Sequence, residues 1–521
     1  MTSVRHAVRG RTLFTIGILA AATVGLWGCN GDDTTPDAPI PTTVPKASCG
    51  PNDSPETGLQ GQVPAALRTP GGFKGFSCNL QLIGQYKGDG ASWQHAWFTD
   101  KAGRKCNYYD TASQTANRTQ LGVVAVETSD PTKPTVSTYL TTTSMIDPWE
   151  SLKVNERRQL LGGVNALNAN GGPEIDLYDI SSDCRFPQLI TSFAVGTGAD
   201  GGFVAAIRGH EGSFAPDGLT YYGSNLGPGG YIYPIDISNT SKPKLLTQWF
   251  TPVITRDHGM SISDDGNRAY FTLFGQGQAA VGAGNPVTNG LIIADVSDVQ
   301  KRVADPQIKV ISTLLWGDGG GAQHTIPVMI KGKPYLIFVD EAGSGGNSLA
   351  GWTNSCNMGL PPWNFARIVD ISDEVNPKIV SRLMLEVNDP KNCDKVLPDL
   401  AGISGFTYGS HYCSVDNKKN ATTLACGYFE SGIRVFDIRD PLRPKEIAYF
   451  NPPAVTTPSP GSQNNRATAV GRPDHCSAQV RLDVATKSLQ TTCQDNGFLS
   501  LVFTNNVWPF SDSTTPPGEQ N

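Results

Sequence analysis

The sequence lacks the short motifs that identify several large enzyme classes. It contains no Gly-x-Ser-x-Gly nucleophile elbow, no Walker loop, no Rossmann fingerprint, no His-Glu-x-x-His pair, no Cys-x-x-Cys-His haem attachment site and no EF-hand loop. Asp and Glu residues are too scattered to indicate a glycosidase pair. Hydrolase and nucleotide chemistry are therefore not expected.

An excess of basic residues is missing as well. The chain has 41 Lys and Arg against 47 Asp and Glu, and no basic stripe carries interleaved aromatic residues. Such a stripe is typical of nucleic-acid binding, so no nucleic-acid partner is expected. A second long apolar run is also lacking, so no transmembrane segment is expected in the rest of the chain.

The N-terminus has the pattern of a secretion signal. Three arginines, Arg5, Arg9 and Arg11, precede an apolar run from Leu13 to Trp27. The run is too short to span a bilayer comfortably and ends at small residues, which is typical of a cleaved signal. The chain is therefore expected to be exported.

The end of this run resembles the lipobox of bacterial lipoproteins. It reads Leu26-Trp27-Gly28-Cys29, with the small residue that the lipoprotein peptidase needs before the cysteine. The resemblance implies that residues 1–28 are a lipoprotein signal peptide and that Cys29 is lipidated; an ordinary signal peptide cleaved nearby is the alternative. Asn30 stands where the Asp of inner-membrane retention would be. This favours the outer membrane or periplasm of a Gram-negative bacterium, with a lipid anchor as the only membrane contact.

The composition changes after the signal. Residues 29–75 are rich in Asp, Thr, Pro and Gly and show no apolar periodicity, so they are predicted to form a disordered tether. Residues 76–510 are predicted to form one folded domain, and residues 511–521 a disordered tail.

The domain contains a repeat of roughly the length of a propeller blade, about 40–50 residues. Each copy has a β-branched strand that ends in Asp-Ile-Ser-like turn residues and is followed by a second apolar run. The copies begin at Val123, Ile175, Ile232, Leu291, Arg367 and Ile433. A hairpin lies upstream of each, for example Met260–Ser263 and Ala269–Thr272 around a turn. Each unit therefore has the four strands of a blade.

These copies resemble the LVIVD repeat family, named for the apolar strand that leads into Asp-Ile-Ser-Asp-Pro. The resemblance covers nearly all of the chain from about residue 79. It implies a β-propeller, but it implies little about activity, because members of the family are mostly surface or exported proteins of undefined role.

Counting the units predicts an all-β fold, a seven-bladed β-propeller of four-stranded blades. The last unit, from His475 to about Phe503, has only three strands. The segment 78–84 has the pattern of an outer strand. We therefore expect an N-terminal strand to complete the last blade, which removes exposed strand edges.

Histidine occurs at one repeated position, the start of the innermost strand, in six of the seven units. Pro148 stands at that position in the second blade. The six predicted metal ligands are His95, His210, His258, His324, His411 and His475. Because imidazole is a frequent ligand of copper, iron and zinc, a ring of histidines around one mouth predicts a transition-metal site, with copper or iron as the cofactor.

Three carboxylates are candidates for orienting the ligands or moving protons: Glu341, Glu430 and Asp257. The predicted function is a metal-dependent oxidoreductase that acts on a small-molecule substrate. The alternative is a non-catalytic propeller that binds a surface ligand and whose histidines hydrogen-bond within their own blades.

Three connections are longer than a propeller needs. They span about 342–366, 385–410 and 451–474. They are expected to form lids over the histidine face, with Trp352, Trp363 and Phe406 as an apolar wall.

Ten of the eleven cysteines remain when Cys29 is set aside, an even number that suits disulfides in an oxidising compartment. The predicted pairs are Cys356 with Cys393, Cys413 with Cys426, and Cys476 with Cys493. The first pair is expected to staple two long loops, and each of the others flanks an inner hairpin. The partners of Cys49, Cys78, Cys106 and Cys184 stay open.

Overall fold

Most of the predicted domain is described by the computed structural model. The described residues are 43–69, 72–111, 118–166, 173–194, 209–226, 230–252, 256–403, 405–462, 472–511 and 513. The predicted signal peptide and the lipidation candidate Cys29 lie outside the described residues, as does most of the predicted tail.

Seven antiparallel sheets form the blades of a propeller. Two strands, β1 (Phe76–Cys78) and β2 (Leu80–Tyr86), precede the first blade. Blade 1 contains β3 (His95–Thr99), β4 (Lys105–Asp110), β5 (Val123–Glu127) and β6 (Thr135–Leu140). Blade 2 contains β7 (Lys153–Asn155), β8 (Leu160–Val164), β9 (Ile175–Asp179) and β10 (Gln188–Phe193). Blade 3 contains β11 (Gly212–Phe214), β12 (Thr220–Asn225), β13 (Tyr231–Asp236), β14 (Lys244–Leu245) and β15 (Trp249–Phe250).

The remaining four blades follow in chain order. Blade 4 contains β16 (Arg256–Ile262), β17 (Arg268–Phe274), β18 (Gly290–Asp295) and β19 (Lys309–Leu315). Blade 5 contains β20 (Gly320–Ile330), β21 (Lys333–Ala342), β22 (Ala366–Asp370) and β23 (Lys378–Arg382). Blade 6 contains β24 (Cys413–Val415), β25 (Thr423–Gly427), β26 (Ile433–Asp437) and β27 (Lys445–Asn451). Blade 7 contains β28 (Arg481–Asp483), β29 (Ser488–Cys493) and β30 (Gly497–Phe503).

The N-terminal segment closes the ring. β2 pairs antiparallel with β30, from Leu80 opposite Phe503 to Tyr86 opposite Phe498. It is the outer strand of blade 7, so the predicted closure and the seven-bladed fold are confirmed. β1 pairs with β27 and adds a fifth strand to blade 6, which the sequence did not indicate. Closure protects the last blade because an unpaired outer strand is a template for association.

Burial decreases from the inner strands to the rim. All residues of β12 and β25 are buried, whereas every residue of the outer strand β10 is exposed or half-buried. Neighbouring blades pack through apolar side chains, as Val435 of β26 and Leu489 of β29 do in one core cluster. Each fully buried side chain of this size contributes about 1.5–3 kcal/mol. The apolar residues that recur in each copy of the repeat therefore form the packed layers between neighbouring blades.

The prediction of a disordered tether over residues 29–75 is wrong for residues 43–69. Val63 is fully buried, and the Gln62 side chain donates a hydrogen bond to the Asp399 carboxylate at 2.6 Å. Val63 packs with Phe76 and Tyr449 in a small apolar cluster, and Val44 joins the core cluster of blade 5. The segment lacks apolar periodicity because it lies on the propeller through scattered apolar and polar contacts rather than as a regular strand or helix.

Five disulfides bond ten cysteines among the described residues. The pairs are Cys49–Cys78, Cys106–Cys184, Cys356–Cys393, Cys413–Cys426 and Cys476–Cys493. The last three are the predicted pairs, and the first two assign the four cysteines whose partners stayed open. The first bond ties the N-terminal segment to β1, and the second joins blade 1 to blade 2.

The helices are short and lie in connections between strands. The α-helices are α1 (Thr143–Ile146), α2 (Gln278–Val281), α3 (Ser297–Gln300), α4 (Leu349–Asn357) and α5 (Cys393–Val396). The 3-10 helices span Ala65–Leu67, Glu386–Asn388, Pro390–Asn392 and Leu397–Leu400. Within the described part of the chain, no helix has the length and apolar character needed to cross a membrane.

Two of the three aromatic residues expected to line the lids lie in the core instead. Trp352 of α4 and Trp363 are almost fully buried, and their rings lie 5.8 Å apart. Both belong to the core cluster that contains Ile337 and Val339 of blade 5. They anchor the long connections to the blade. Only Phe406 reaches the hub.

Candidate metal centre

Five side chains meet at the hub, one from each of blades 2 to 6. We call Glu150, His210, His258, Glu341 and His411 the hub centre. The Nε2 atoms of His210 and His258 are 3.0 Å apart, and Oε2 of Glu150 lies 3.3 Å from each of them. Nε2 of His411 lies 3.1 Å from Oε1 of Glu150 and 3.3 Å from Oε2 of Glu341. Three imidazoles and two carboxylates therefore share one small volume.

The position of each residue in its blade explains this convergence. His210 and His411 lie two residues before the innermost strands β11 and β24. His258 lies within β16, where the register with β17 shifts between Asp257 and Met260. Such an irregularity re-aims a side chain away from the regular alternation of a strand. Glu341 comes from the end of β21.

Two of the histidines are held by contacts on the ring nitrogen that faces away from the centre. Nδ1 of His258 lies 3.0 Å from Oε2 of Glu211, and Nδ1 of His411 lies 2.9 Å from the carbonyl oxygen of Ser477. A carboxylate or carbonyl acceptor at Nδ1 keeps the proton there and leaves the Nε2 lone pair for a ligand bond. This is the usual support of metal-binding histidines.

The hub centre is almost closed to solvent. The side chain of His210 is 20% exposed and that of Glu341 8%, whereas those of Glu150, His258 and His411 are nearly fully buried. The centre is therefore most exposed on the side of His210.

Burial and charge act against each other on these groups. Burial opposes ionisation of Glu150, but the imidazoles of His258 and His411 outweigh it and hold its pKa well below the usual range. Burial also disfavours a charged His411, but Glu150 and Glu341 outweigh it and raise the pKa of His411 to about 10. Burial dominates for His258 and lowers its pKa to about 4. The centre is therefore an acidic site that favours a positive charge.

Two atoms of the centre have imidazole or carboxylate neighbours at 3.1–3.3 Å but make no well-aligned hydrogen bond among the described residues. They are Oε2 of Glu150 and Nε2 of His411. A buried polar atom without a partner costs about 1–3 kcal/mol, and a charged one costs more. Both atoms point into the shared volume, so one bound cation would satisfy them together.

The spacing of the donor atoms fits one transition-metal ion. Imidazole nitrogens and carboxylate oxygens bind such ions at about 2.0–2.2 Å, which places two ligands at a right angle about 3 Å apart. The triangle formed by Glu150, His210 and His258 has edges of 3.0, 3.3 and 3.3 Å. These distances are therefore compatible with one shared ion.

Aromatic rings border the hub centre. The Trp93 ring lies 5.3 Å from the His411 ring, 5.5 Å from Trp149 and 5.4 Å from Phe406. Phe406 lies 4.9 Å from Phe429. These four rings, which we call the aromatic wall, form an apolar, water-poor boundary on one side of the centre.

Two members of the wall have strained backbones. Trp149 has φ of 51° and Phe429 has φ of 41°, a region that bulky residues rarely adopt. Each is followed directly by a buried glutamate, Glu150 or Glu430. Backbone strain of this kind costs about 1–3 kcal/mol and clusters at functional sites. Here it turns the aromatic ring and the next carboxylate toward the hub.

The structure does not bring three of the predicted ligands to the centre. Nδ1 of His95 contacts the carbonyl oxygen of Gln479, and its Nε2 contacts Asn107, both at 3.0 Å. His475 lies beside Arg472, with Nε2 3.2 Å from an Nη2 atom of that residue. Both ring nitrogens of His95 and Nε2 of His475 therefore contact groups outside the hub centre, and Nδ1 of His475 has no hydrogen-bond partner among the described residues. Of the six predicted ligands, His210, His258 and His411 meet at the hub centre, and the other three do not.

His324 supports the centre from outside. Its Nδ1 lies 3.3 Å from Oε1 of Glu211, the same carboxylate that contacts His258. Its Nε2 faces the side chain of Gln479 at 3.4 Å. His324 thus fixes Glu211, and Glu211 fixes His258.

Glu430 is not placed as a proton acceptor. Its carboxylate contacts Arg68 at 2.7 Å and Arg472 at 2.5 Å. Burial opposes its ionisation, but the two guanidinium groups outweigh burial and lower its pKa far below the usual value. Glu430 is therefore a structural anion that fixes the N-terminal segment to the hub. The sequence could not show this because Arg68 lies in the expected tether.

Asp257 is also separate from the centre. Burial raises its pKa well above the usual value, and neither carboxylate oxygen has a hydrogen-bond partner among the described residues. It lies next to His258 in β16, but no hydrogen bond or ion pair joins it to the hub centre in the described part of the chain. Of the three predicted carboxylates, only Glu341 is at the centre.

Sequence reasoning missed Glu150 and Glu211. Glu150 belongs to blade 2, the one unit in which Pro148 replaces the repeated histidine. A signal was present: the blade without an imidazole supplies a carboxylate two residues later. Glu211 directly follows His210, and nothing in its spacing distinguished it from a solvent-exposed glutamate.

The comparisons with known proteins assign neither a family nor a function to the chain. No protein-family model matches the chain, and no curated protein matches it. A solved structure from Bacteroides uniformis, described as a "putative 6-phosphogluconolactonase", has 11% identity and a TM-score of 0.46, over 75% of this chain and 90% of that one. The Cps50 (Swd1) β-propeller domain of Myceliophteria thermophila has 9% identity and a TM-score of 0.46, over 82% and 100%. Likeness at this level carries no functional argument.

Proposed function

We propose that the protein is an exported, metal-dependent oxidoreductase whose hub centre binds one iron ion. The observation that supports this most is the convergence of three imidazole Nε2 atoms and two carboxylates in one buried volume, where Oε2 of Glu150 and Nε2 of His411 make no well-aligned hydrogen bond. A core of this composition is expensive without a cation. A bound metal would be a shared ligand-binding partner for all five residues and would balance the charge of the two carboxylates.

The donor set favours iron over copper, the two metals that the sequence suggested. Imidazole suits both, but carboxylates favour harder ions, and two imidazoles with one carboxylate on one face are typical of non-haem iron sites. His210, His258 and Glu150 have this composition. Iron bound there would supply one-electron chemistry and activation of oxygen.

The remaining residues orient the ligands and shape the site. Glu211 and the Ser477 carbonyl hold the rings of His258 and His411. Glu341 is 3.3 Å from His411 and lies on the accessible side, so it is placed to accept a proton from a substrate hydroxyl or amine. The aromatic wall keeps water out and contacts the apolar part of a small substrate.

Export and lipid anchoring belong to the same proposal. Five disulfides suit an oxidising compartment. The lipobox-like sequence ending at Cys29 supports attachment to the outer membrane or release into the periplasm. Labelling with a radioactive fatty acid, lost in Cys29→Ser, tests the anchor.

Oxygen uptake tests the oxidoreductase proposal. The tag-free protein is stripped with a chelator, reloaded with Fe(II), and supplied with small alcohols, aldehydes, amines and thiols at an oxygen electrode. We expect uptake that needs both iron and one substrate class, and that is lost in Glu150→Gln but kept in His475→Gln. Stoichiometric iron without uptake for any class would favour the non-catalytic binding propeller.

A further inference from the structure

A second cavity lies at the other end of the innermost strands. It encloses about 470 Å³. Its walls come from β7, from the ends of β11 and β16, and from the turns after them and after β24. The histidines of the hub centre lie at the starts of these strands, so the cavity opens at the opposite mouth of the propeller. Its volume is typical of a small-molecule pocket.

Positive charge predominates around this cavity. The cationic lining residues are Lys153, Arg157, Lys418 and Lys419, and the anionic ones are Glu156 and Asp264. Arg157, Lys419 and Asp264 are exposed at the rim, and Lys418 is half-buried. A metal cation is therefore disfavoured here, and an anion is attracted.

Lys153 is the buried charge of this cavity. Its side chain is only 2% exposed, and its Nζ has no hydrogen-bond acceptor among the described residues. The nearest carboxylate oxygen, Oε1 of Glu211, is 4.0 Å away, and the Tyr412 ring centroid is 4.9 Å away. An ammonium group has three donors, and burial without acceptors is unfavourable. An acceptor that enters through the cavity would satisfy them.

The rest of the wall determines what kind of anion fits. Val154, Phe214, Pro216 and Ile262 give an apolar surface, and Ser213 and Ser261 add hydroxyl groups. Bare inorganic ions gain nothing from such a surface, whereas an anion with a hydrocarbon part does. The chemistry of the wall therefore matches an amphipathic ligand.

We propose that this cavity binds a small organic anion, with its acidic group against Lys153 and its apolar part against Phe214, Pro216 and Ile262. The cavity is distinct from the hub centre, although Glu211 lies near both Lys153 and His258. Carboxylates and phosphate monoesters share the required chemistry, and a volume of about 470 Å³ limits the ligand to a small molecule.

Calorimetric titration of the full chain tests the proposal. The probes are hexanoate and hexyl phosphate, with uncharged hexanamide as the matched control ligand. We expect one binding event per chain for at least one acid and none for the amide. The affinities of hexanoate and hexyl phosphate show whether the cavity prefers a carboxylate or a phosphate monoester. No binding of either acid, or equal binding of amide and acid, would overturn the proposal.

Substitutions of the lining lysines test whether the anion binds in this cavity. Lys153→Met should weaken binding more than tenfold because a charge-assisted hydrogen bond is lost. Lys418→Met changes a half-buried residue at the rim and should weaken binding severalfold without disturbing the core. Binding to this variant therefore tests the proposal even if Lys153→Met does not fold. Lys333→Met, at the exposed start of β21, serves as the control and should bind as the unmodified chain does. Unchanged affinity in Lys418→Met, and in Lys153→Met if it folds, would contradict the proposal.

Discussion

The Nε2 atoms of His210 and His258 lie 3.0 Å apart although the two residues belong to different blades. Two imidazole nitrogens at this distance need a shared proton or a common ion, because their lone pairs otherwise repel each other. Glu150 lies 3.3 Å from both. A cation bound by the three groups satisfies all of them at once.

Removing the support behind His258 should weaken metal binding without unfolding the chain. In Glu211→Gln the acceptor for Nδ1 of His258 loses its charge, and loss of such a support typically lowers metal affinity about 10–100-fold. Competition against a chelator measures this change. Glu374→Gln, a partly exposed glutamate that pairs with Arg268, is the control. Equal affinity in both variants would show that Glu211 does not support a ligand.

His95 should make the protein less stable in acid. Burial lowers the pKa of His95 to about 4, below the value of about 6.5 in an unfolded chain. The unfolded state therefore binds a proton first, and the free energy of unfolding decreases as the pH falls from about 6.5 to 4, by up to about 3 kcal/mol.

The comparison is urea unfolding at pH 7 and at pH 4.5. His95→Gln cannot take up this proton, so its free energy of unfolding should fall less between the two values than that of the unmodified chain. Other titrating groups are common to both proteins. An identical decrease would mean that His95 does not bind its proton differently in the two states.

The disulfides should stabilise the fold in the order of the chain lengths they span. Cys106 and Cys184 are 78 residues apart, and Cys413 and Cys426 are 13 apart. On chain entropy alone, the shorter loop contributes about 3 kcal/mol and the longer one about 1.5 kcal/mol more. Denaturant unfolding of the two double Cys→Ser variants measures both. A larger loss for the Cys413–Cys426 pair would contradict this order.

Phe406 should affect substrate binding rather than metal binding. It is half-buried and lies 5.4 Å from Trp93 in the aromatic wall, and it is not a ligand. Phe406→Ala should raise KM severalfold for a substrate with an apolar part and leave the iron content unchanged. Loss of iron in this variant would mean that the wall holds the centre together.

The fold was predictable because its signal is repeated. A strand that ends in Asp-Ile-Ser-like turn residues recurs in six units, so each copy supports the assignment of the others. The structure of the N-terminal segment could not be predicted in the same way. Its contacts, such as that of Gln62 with Asp399, join residues that are distant in sequence, and the segment itself has no apolar periodicity. Membership of the LVIVD repeat family stays a prediction, because no family model matches the chain.

The candidate site was predictable in position but not in detail. The repeat places each histidine at the same height along the axis, but the direction of each ring depends on local irregularities such as the register shift beside His258. His95 has the same place in its blade, yet its ring contacts Asn107 and the Gln479 carbonyl. Glu150 was missed because it belongs to blade 2, the unit in which Pro148 replaces the repeated histidine.

The central claim is that the hub centre binds a metal, and elemental analysis tests it most directly. The protein is purified from the periplasmic or membrane fraction without a histidine tag, beside a His258→Ala/His411→Ala variant and a His475→Gln control. We predict close to one iron per chain in the unmodified protein and in the control, and almost none in the double variant. No metal in any sample after attempted reloading with iron and copper would contradict the account.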